Sequence, residues 1–195
     1  MGTDDRGVAI VDLIAALAIA LAMTAMAVPV IGGTLDREHA IVGAQHLAGQ
    51  LQRARMESLR RSAAVAVRLD LVGERARVQL YVDGNGNGVL QRDIDRAADR
   101  PLTAVEWIDA HAGDVSLRVN QAVTEAGGAE SIEAGSDPLR IGRTSLVTFS
   151  PLGSSSSGTL YVAARRGPQM AIRVYGASGR VRVLMFDAVT RQWHP

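Results

Sequence analysis

The chain has 195 residues, no cysteine and a formal net charge of +1. That length supports one globular domain with a real core beside an apolar segment, and the missing thiols exclude a disulfide framework, a thiolate zinc site and a cysteine nucleophile. The near-neutral total hides an asymmetry, because residues 70–138 carry thirteen acids and six arginines whereas residues 139–195 carry eight arginines and the single acid Asp187.

The first element is an apolar run that opens at Arg6-Gly7-Val8-Ala9-Ile10-Val11-Asp12-Leu13 and continues to Ile31. No charged side chain occurs from Leu13 to Gly33. A helix over Val8–Ile31 would rise roughly 36 Å at about 1.5 Å per residue, enough for a bilayer core of about 30 Å. Asp12 is the one ionisable group inside the run. A carboxylate near hydrocarbon costs about 2.5 to 3.5 kcal/mol on insertion scales, which points to a purpose.

A short leader ending in glycine, followed by an apolar helix with an acid at its fifth position, resembles the N-terminus of type IV prepilins. The resemblance implies cleavage by a prepilin peptidase after Gly7, methylation of the new amine at Val8, and an assembly role for Asp12. In a helical filament that carboxylate would meet the α-ammonium of a neighbouring subunit, so both charges are satisfied in an apolar interior. Pro29 falls where pilin helices often kink, since proline removes a backbone hydrogen bond. The chain departs from the family pattern in having Val8 for the usual Phe, Asp12 for the usual Glu, and Asp4 and Asp5 beside Arg6 in the leader. An uncleaved signal anchor is the alternative, followed by a secretory signal peptide ending near Ala25 and Ala27.

Gly32 and Gly33 predict a loosening of the helix, with a restart capped by Thr34 or Asp36. Ala44, Leu47, Ala48, Leu51, Ala54 and Ser58 then recur at spacings of three and four, which predicts one buried face of an amphipathic continuation over residues 34–62. Beyond Ser62 the period becomes two. Residues 64–71 and 75–82 read as paired strands joined at Val72-Gly73-Glu74, and Asp83-Gly84-Asn85-Gly86-Asn87-Gly88 ends the pair as a glycine-rich turn. Residues 103–108 and 115–119 are weaker strand candidates. Residues 120–138, rich in Gly, Ala, Ser and Glu, predict a mobile surface insertion.

Residues 139–149, 158–164, 170–175 and 180–186 alternate apolar and polar side chains with turns between them, as a meander does. The stretches Val147-Thr148-Phe149-Ser150-Pro151-Leu152-Gly153-Ser154, Gly158-Thr159-Leu160 and Ser178-Gly179-Arg180-Val181-Arg182-Val183, together with the loop 83–88, resemble GspH/FimT-type pseudopilins and minor pilins. That resemblance implies an α+β, pilin-like fold. A leader (1–7) precedes a membrane-spanning and filament-core helix (8–33) kinked near Pro29, whose amphipathic continuation (34–62) packs on an antiparallel, β-rich periplasmic domain (63–195). The implied function is structural, in a type II secretion or type IV pilus-like filament at the bacterial inner membrane, with other pseudopilins, the prepilin peptidase and the inner membrane as partners.

Two motifs suggest binding. Asp83, Asn85, Asn87 and the Val89 carbonyl follow the spacing of the first half of an EF-hand calcium loop, and Asp93 and Asp95 flank its twelfth position, which is Ile94 rather than a bidentate Glu. The competing explanation is a tight turn, because Asn and Gly tolerate positive φ. Calcium is the one cofactor the sequence suggests. Arg180 and Arg182 would share a strand face, and DNA-uptake members of the resembled family carry a Gly-Arg-any-Arg motif of this kind that contacts the DNA backbone. Arg165, Arg166 and Arg173 could extend such a surface. A solvated strand face is the competing explanation, and the absence of lysine fits a GC-rich coding bias as well as phosphate recognition. No enzyme is expected: His39, His46, His111 and His194 lack zinc-ligand spacing, and no nucleophile elbow is present.

Overall fold

The computed structural model describes residues 5–142 and 144–195, the side chains of residues 5–9 and 24–32 excepted. Gly7, Val8 and Pro29 are therefore described by their backbone alone, which is helical at all three. The chain divides into two compact units, residues 1–35 and 36–195. Helix α1 runs over Asp5–Arg61. Thr34 and Asp36 fall within it rather than capping a second helix.

In the first unit, Ile10, Val11, Leu13, Ile14, Leu17, Ile19, Leu21 and Met23 are all exposed, at 59–69%. Among the described residues no helix is long and apolar enough to cross a membrane.

The second unit is α+β. After α1 come β1 (Val65–Val72), β2 (Arg75–Val82), α2 (Gln91–Asp95), β3 (Arg100–Pro101), β4 (Glu106–Trp107), α3 (Asp109–Ala112), β5 (Val115–Leu117), β6 (Val123–Thr124) and β7 (Ser131–Ile132). The chain ends with β8 (Leu139–Arg140), β9 (Leu146–Phe149), β10 (Gly158–Ala164), β11 (Met170–Tyr175), β12 (Arg180–Asp187) and β13 (Gln192–His194). One sheet has the order β3-β2-β1-β9, with β4 also on β2, and the other has the order β13-β12-β11-β10-β5, with β8 also on β10. Both are antiparallel throughout their described pairs.

The spacing expected of the helix face is observed. Ala44, Leu47, Leu51, Ala54 and Ser58 have no exposed surface, and the apolar members share one core with Val65, Val67 and Leu69 of β1, Phe149 of β9, and Leu160 and Ile172 of β10 and β11. The stripe is built largely of alanine and glycine, which lets the helix backbone come close to its neighbours. A Cβ placed on Gly43 would lie 2.5 Å from Val115 Cγ1. The β1–β2 hairpin forms in the register Val65↔Val82 to Val72↔Arg75. Its turn places Gly73, at φ 62, in the first central position, where a II′ turn requires positive φ.

Residues 139–149, expected as one strand, divide between the sheets. β8 pairs with β10 and β9 pairs with β1, and Gly142, at φ 61, lies between them. Strands β10 to β12 form the last three strands of the expected meander, and β13, which the sequence pattern did not announce, extends it. Residues 120–138, expected as a surface loop, instead carry the β6–β7 hairpin. Val123, Ala126 and Ile132 are buried with Tyr161, Ala171 and Phe186 on a second core. Three apolar residues in a polar segment suffice because the meander already presents a matching apolar face. The Tyr161 hydroxyl accepts from the Ala126 N–H at 3.1 Å, and Trp193 Nε1 donates to the Thr124 carbonyl at 2.7 Å.

Candidate functional site

The structure places the sequence-selected residues in three separate regions. Asp12 lies in the first unit, on the helical stretch whose apolar side chains are exposed. It is the single charged residue between Ile10 and Met23.

The loop after β2 is held by its own acids. The Asp83 carboxylate accepts from the backbone N–H groups of Asn85 (3.0 Å), Gly86 (2.8 Å) and Gly88 (2.8 Å). Asn85 Oδ1 accepts from the Asn87 N–H at 3.2 Å, and Asn87 Nδ2 donates to Asp93 at 3.1 Å. That last bond is the main influence holding the Asp93 carboxyl below its ordinary value, against the opposing effect of desolvation, with Asn85, Arg92 and Arg96 contributing in the same direction as Asn87. Of the residues with calcium-loop spacing, Asp83, Asn85, Asn87 and Asp93 are thus brought together. Asp95 is exposed and accepts from Gln91 at 2.8 Å, while the Val89 side chain is buried beside Ala66, Tyr81 and Leu146. These hydrogen bonds between protein groups hold the loop. Asp99, which sequence inspection missed, closes it by accepting from the N–H groups of Gly84 (3.1 Å) and Leu90 (3.0 Å).

Arg180 and Arg182 lie on the same face of β12, opposite Tyr175 and Arg173 of β11. Their side chains meet no acid within ion-pair distance among the described residues. Arg173 is engaged differently: its guanidinium donates to the Ala126 carbonyl and, at 3.1 Å, to Thr159 Oγ1, so it clamps the β6–β7 hairpin rather than facing solvent freely. Arg165 and Arg166 precede β11 at the Met170 end, roughly 17 Å along the strand from the Tyr175–Arg180 pair. Arg165 lies 3.0 Å from Asp114 and 3.7 Å from Glu74. The expected extension of the basic surface through Arg165 and Arg166 is therefore not assembled.

A different arginine takes their place. Arg55 of α1 lines a groove of about 310 Å³ with Gln52, Met56, Gly179, Arg180 and Val181. Its Nε is buried without a hydrogen-bond partner. Nothing in the local sequence marks Arg55, because the juxtaposition arises only when α1 packs beside the β11–β12 turn. The same is true of His46, which is distant in the chain from Glu106 and His111 and adjacent to them in the fold.

The architecture defines a helix-led α+β subunit in which the second half of the helix is built into an antiparallel domain and the first half presents apolar side chains outward. Residues 43–179 match the family model described as type II transport protein GspH. The chain belongs to the GspH family. No curated protein and no solved structure matches it. Arg180 and Arg182 lie just beyond the matched residues.

Proposed function

We propose that the chain is a minor pseudopilin of the type II secretion class. It is cleaved after Gly7 and methylated at Val8, and it waits in the inner membrane with its β-rich domain in the periplasm. On assembly the helix leaves the bilayer and packs among the helices of other pseudopilins, where Asp12 meets the α-ammonium of a neighbouring subunit. The role is structural rather than enzymatic.

The observation that carries this reading is the contrast between Asp12 and its surroundings. A lone carboxylate sits among eight apolar side chains that are all at least 59% exposed, and a helix that is apolar all round requires a membrane or a protein interior around it. Membership of the GspH family supports the secretion setting. Mass spectrometry of the protein from its own cell tests the reading. The expected species starts at Val8 and carries one methyl group, and Asp12→Ala leaves that processing intact while the subunit fails to enter filaments. A protein with residues 1–7 still attached, or one lacking the helix, overturns it.

A second reading, contact with the DNA backbone in a FimT-like uptake pilus, is favoured by the groove that joins Arg180 to the unpartnered Arg55 Nε. Guanidinium contacts to phosphate give salt-sensitive binding. Titration of the full chain in detergent with short duplex DNA across a salt series decides it. The reading requires binding that weakens with salt and is lost when Arg180→Ala and Arg182→Ala are combined.

A further inference from the structure

We propose that His46, Glu106 and His111 form a binding site for one divalent transition-metal ion of the zinc class. The three side chains come from three elements, α1, β4 and the short helix α3. His46 Nε2 and His111 Nδ1 approach the same carboxylate oxygen, Glu106 Oε1, at 3.0 Å and 3.4 Å, and the three ligand atoms all lie within 4.8 Å of one another. Ligands about 2.0–2.1 Å from a tetrahedral ion are separated by roughly 3.3 Å, so both nitrogen–oxygen separations already match a coordination edge.

Two further observations point to a missing partner. His46 Nε2 is buried and makes no hydrogen bond of acceptable geometry, despite lying 3.0 Å from the carboxylate. An apolar contact would leave that nitrogen unsatisfied, whereas an ion in front of it would not. Glu106 is also oriented from behind, because Gln50, one turn along α1 from His46, donates to its other oxygen at 2.8 Å. Outer hydrogen bonds of this kind fix a ligating carboxylate in place.

The donor set of two imidazoles and a carboxylate selects zinc or its first-row neighbours over calcium or magnesium, which prefer oxygen. The two rings stack nearly parallel, 4.6 Å apart with 7° between planes. Coordination through both in-plane lone pairs thus requires one ring to tilt, and the His111 side chain, 51% exposed, is free to do so. The ion would tie α1 to the β4–α3 segment.

The test uses the full chain in detergent, without a histidine tag and stripped of metal by a chelator, titrated with Co²⁺ by visible absorption and with Zn²⁺ by calorimetry. One equivalent is expected to bind, with the intense absorption of tetrahedral cobalt. Gln50→Ala is expected to weaken binding roughly tenfold to a hundredfold, and His111→Ala, at a half-exposed position that leaves the core untouched, to weaken it further. The absence of both absorption and heat overturns the proposal, and so does a cobalt signal that survives His111→Ala unchanged.

Discussion

The two ends of helix α1 obey opposite rules. From Ala40 to Ser58 the buried residues occupy one stripe, and that stripe is saturated: Ala40, Ala44, Leu47, Leu51 and Ala54 retain no exposed surface. From Ile10 to Met23 the large apolar residues point in every direction around the axis, and all of them stay exposed within the chain. A one-sided pattern is satisfied by the chain's own sheets, and an all-round pattern needs surroundings that the chain does not supply. The first is a folding element, and the second is an element awaiting an environment.

The sharpest way to break this contrast is a matched pair of truncations. Leu51→Ala removes a fully buried side chain and is expected to cost about 2–5 kcal/mol, through lost burial and the cavity left behind. Leu17→Ala, at 61% exposure, is expected to change the stability of the domain by no more than about 0.5 kcal/mol. Denaturant melts of the purified full-length variants measure both. Comparable costs at the two positions would show that the first stretch is also packed against the domain, and the distinction would fall.

A smaller effect examines how completely the second unit satisfies itself. Tyr161 is buried, and its hydroxyl is the acceptor for the Ala126 N–H. Burial raises the Tyr161 phenol above its ordinary value, so it stays protonated. Tyr161→Phe keeps the ring and removes that acceptor, leaving a buried N–H unpaired at a cost of about 1–3 kcal/mol. Hydrogen exchange should then speed up in residues 123–132 while β1 and β2 stay protected. Unchanged exchange at the hairpin would mean that the second core, not this bond, holds it.

Much of this arrangement was legible beforehand, and the reasons are physical. The helical face 44–58 and the 65–82 hairpin declare themselves because a strict period is visible when one side of an element is buried and the other is wet. The meander from β10 to β12 follows for the same reason. The β6–β7 hairpin gave no such signal: its few apolar side chains, Val123, Ala126 and Ile132, are enough only because Tyr161, Ala171 and Phe186 supply the rest of the core from elsewhere. The loop 83–88 was legible as a turn, yet its closure by Asp99 was not, because that bond depends on the chain returning through α2. Arg55 beside Arg180, and His46 beside His111, are products of packing between distant elements, for which local spacing carries no information.

The smallest expected effect lies at the solvent-facing rim of the second unit, where Arg75 binds Asp109 through two hydrogen bonds, at 2.6 Å and 3.0 Å. That pairing, ahead of the opposing effect of desolvation, holds the Asp109 carboxyl below its ordinary value. A depressed carboxylate stabilises the fold fully above its unfolded pKa, about 3.9, and the contribution is lost as pH falls through the lower folded value. Arg75 also lies over the Trp107 ring at 4.2 Å, an attraction that does not titrate in this range. Asp109→Asn therefore isolates the carboxylate. The stability difference between wild type and Asp109→Asn should be small and constant from neutral pH down to about pH 4, and should shrink below it as the wild-type acid takes up its proton. A difference that instead grows on acidification would mean that the carboxylate is held against its charge, and the rim would then resemble the exposed apolar helix in carrying an unmet demand, rather than the self-satisfied domain to which it belongs.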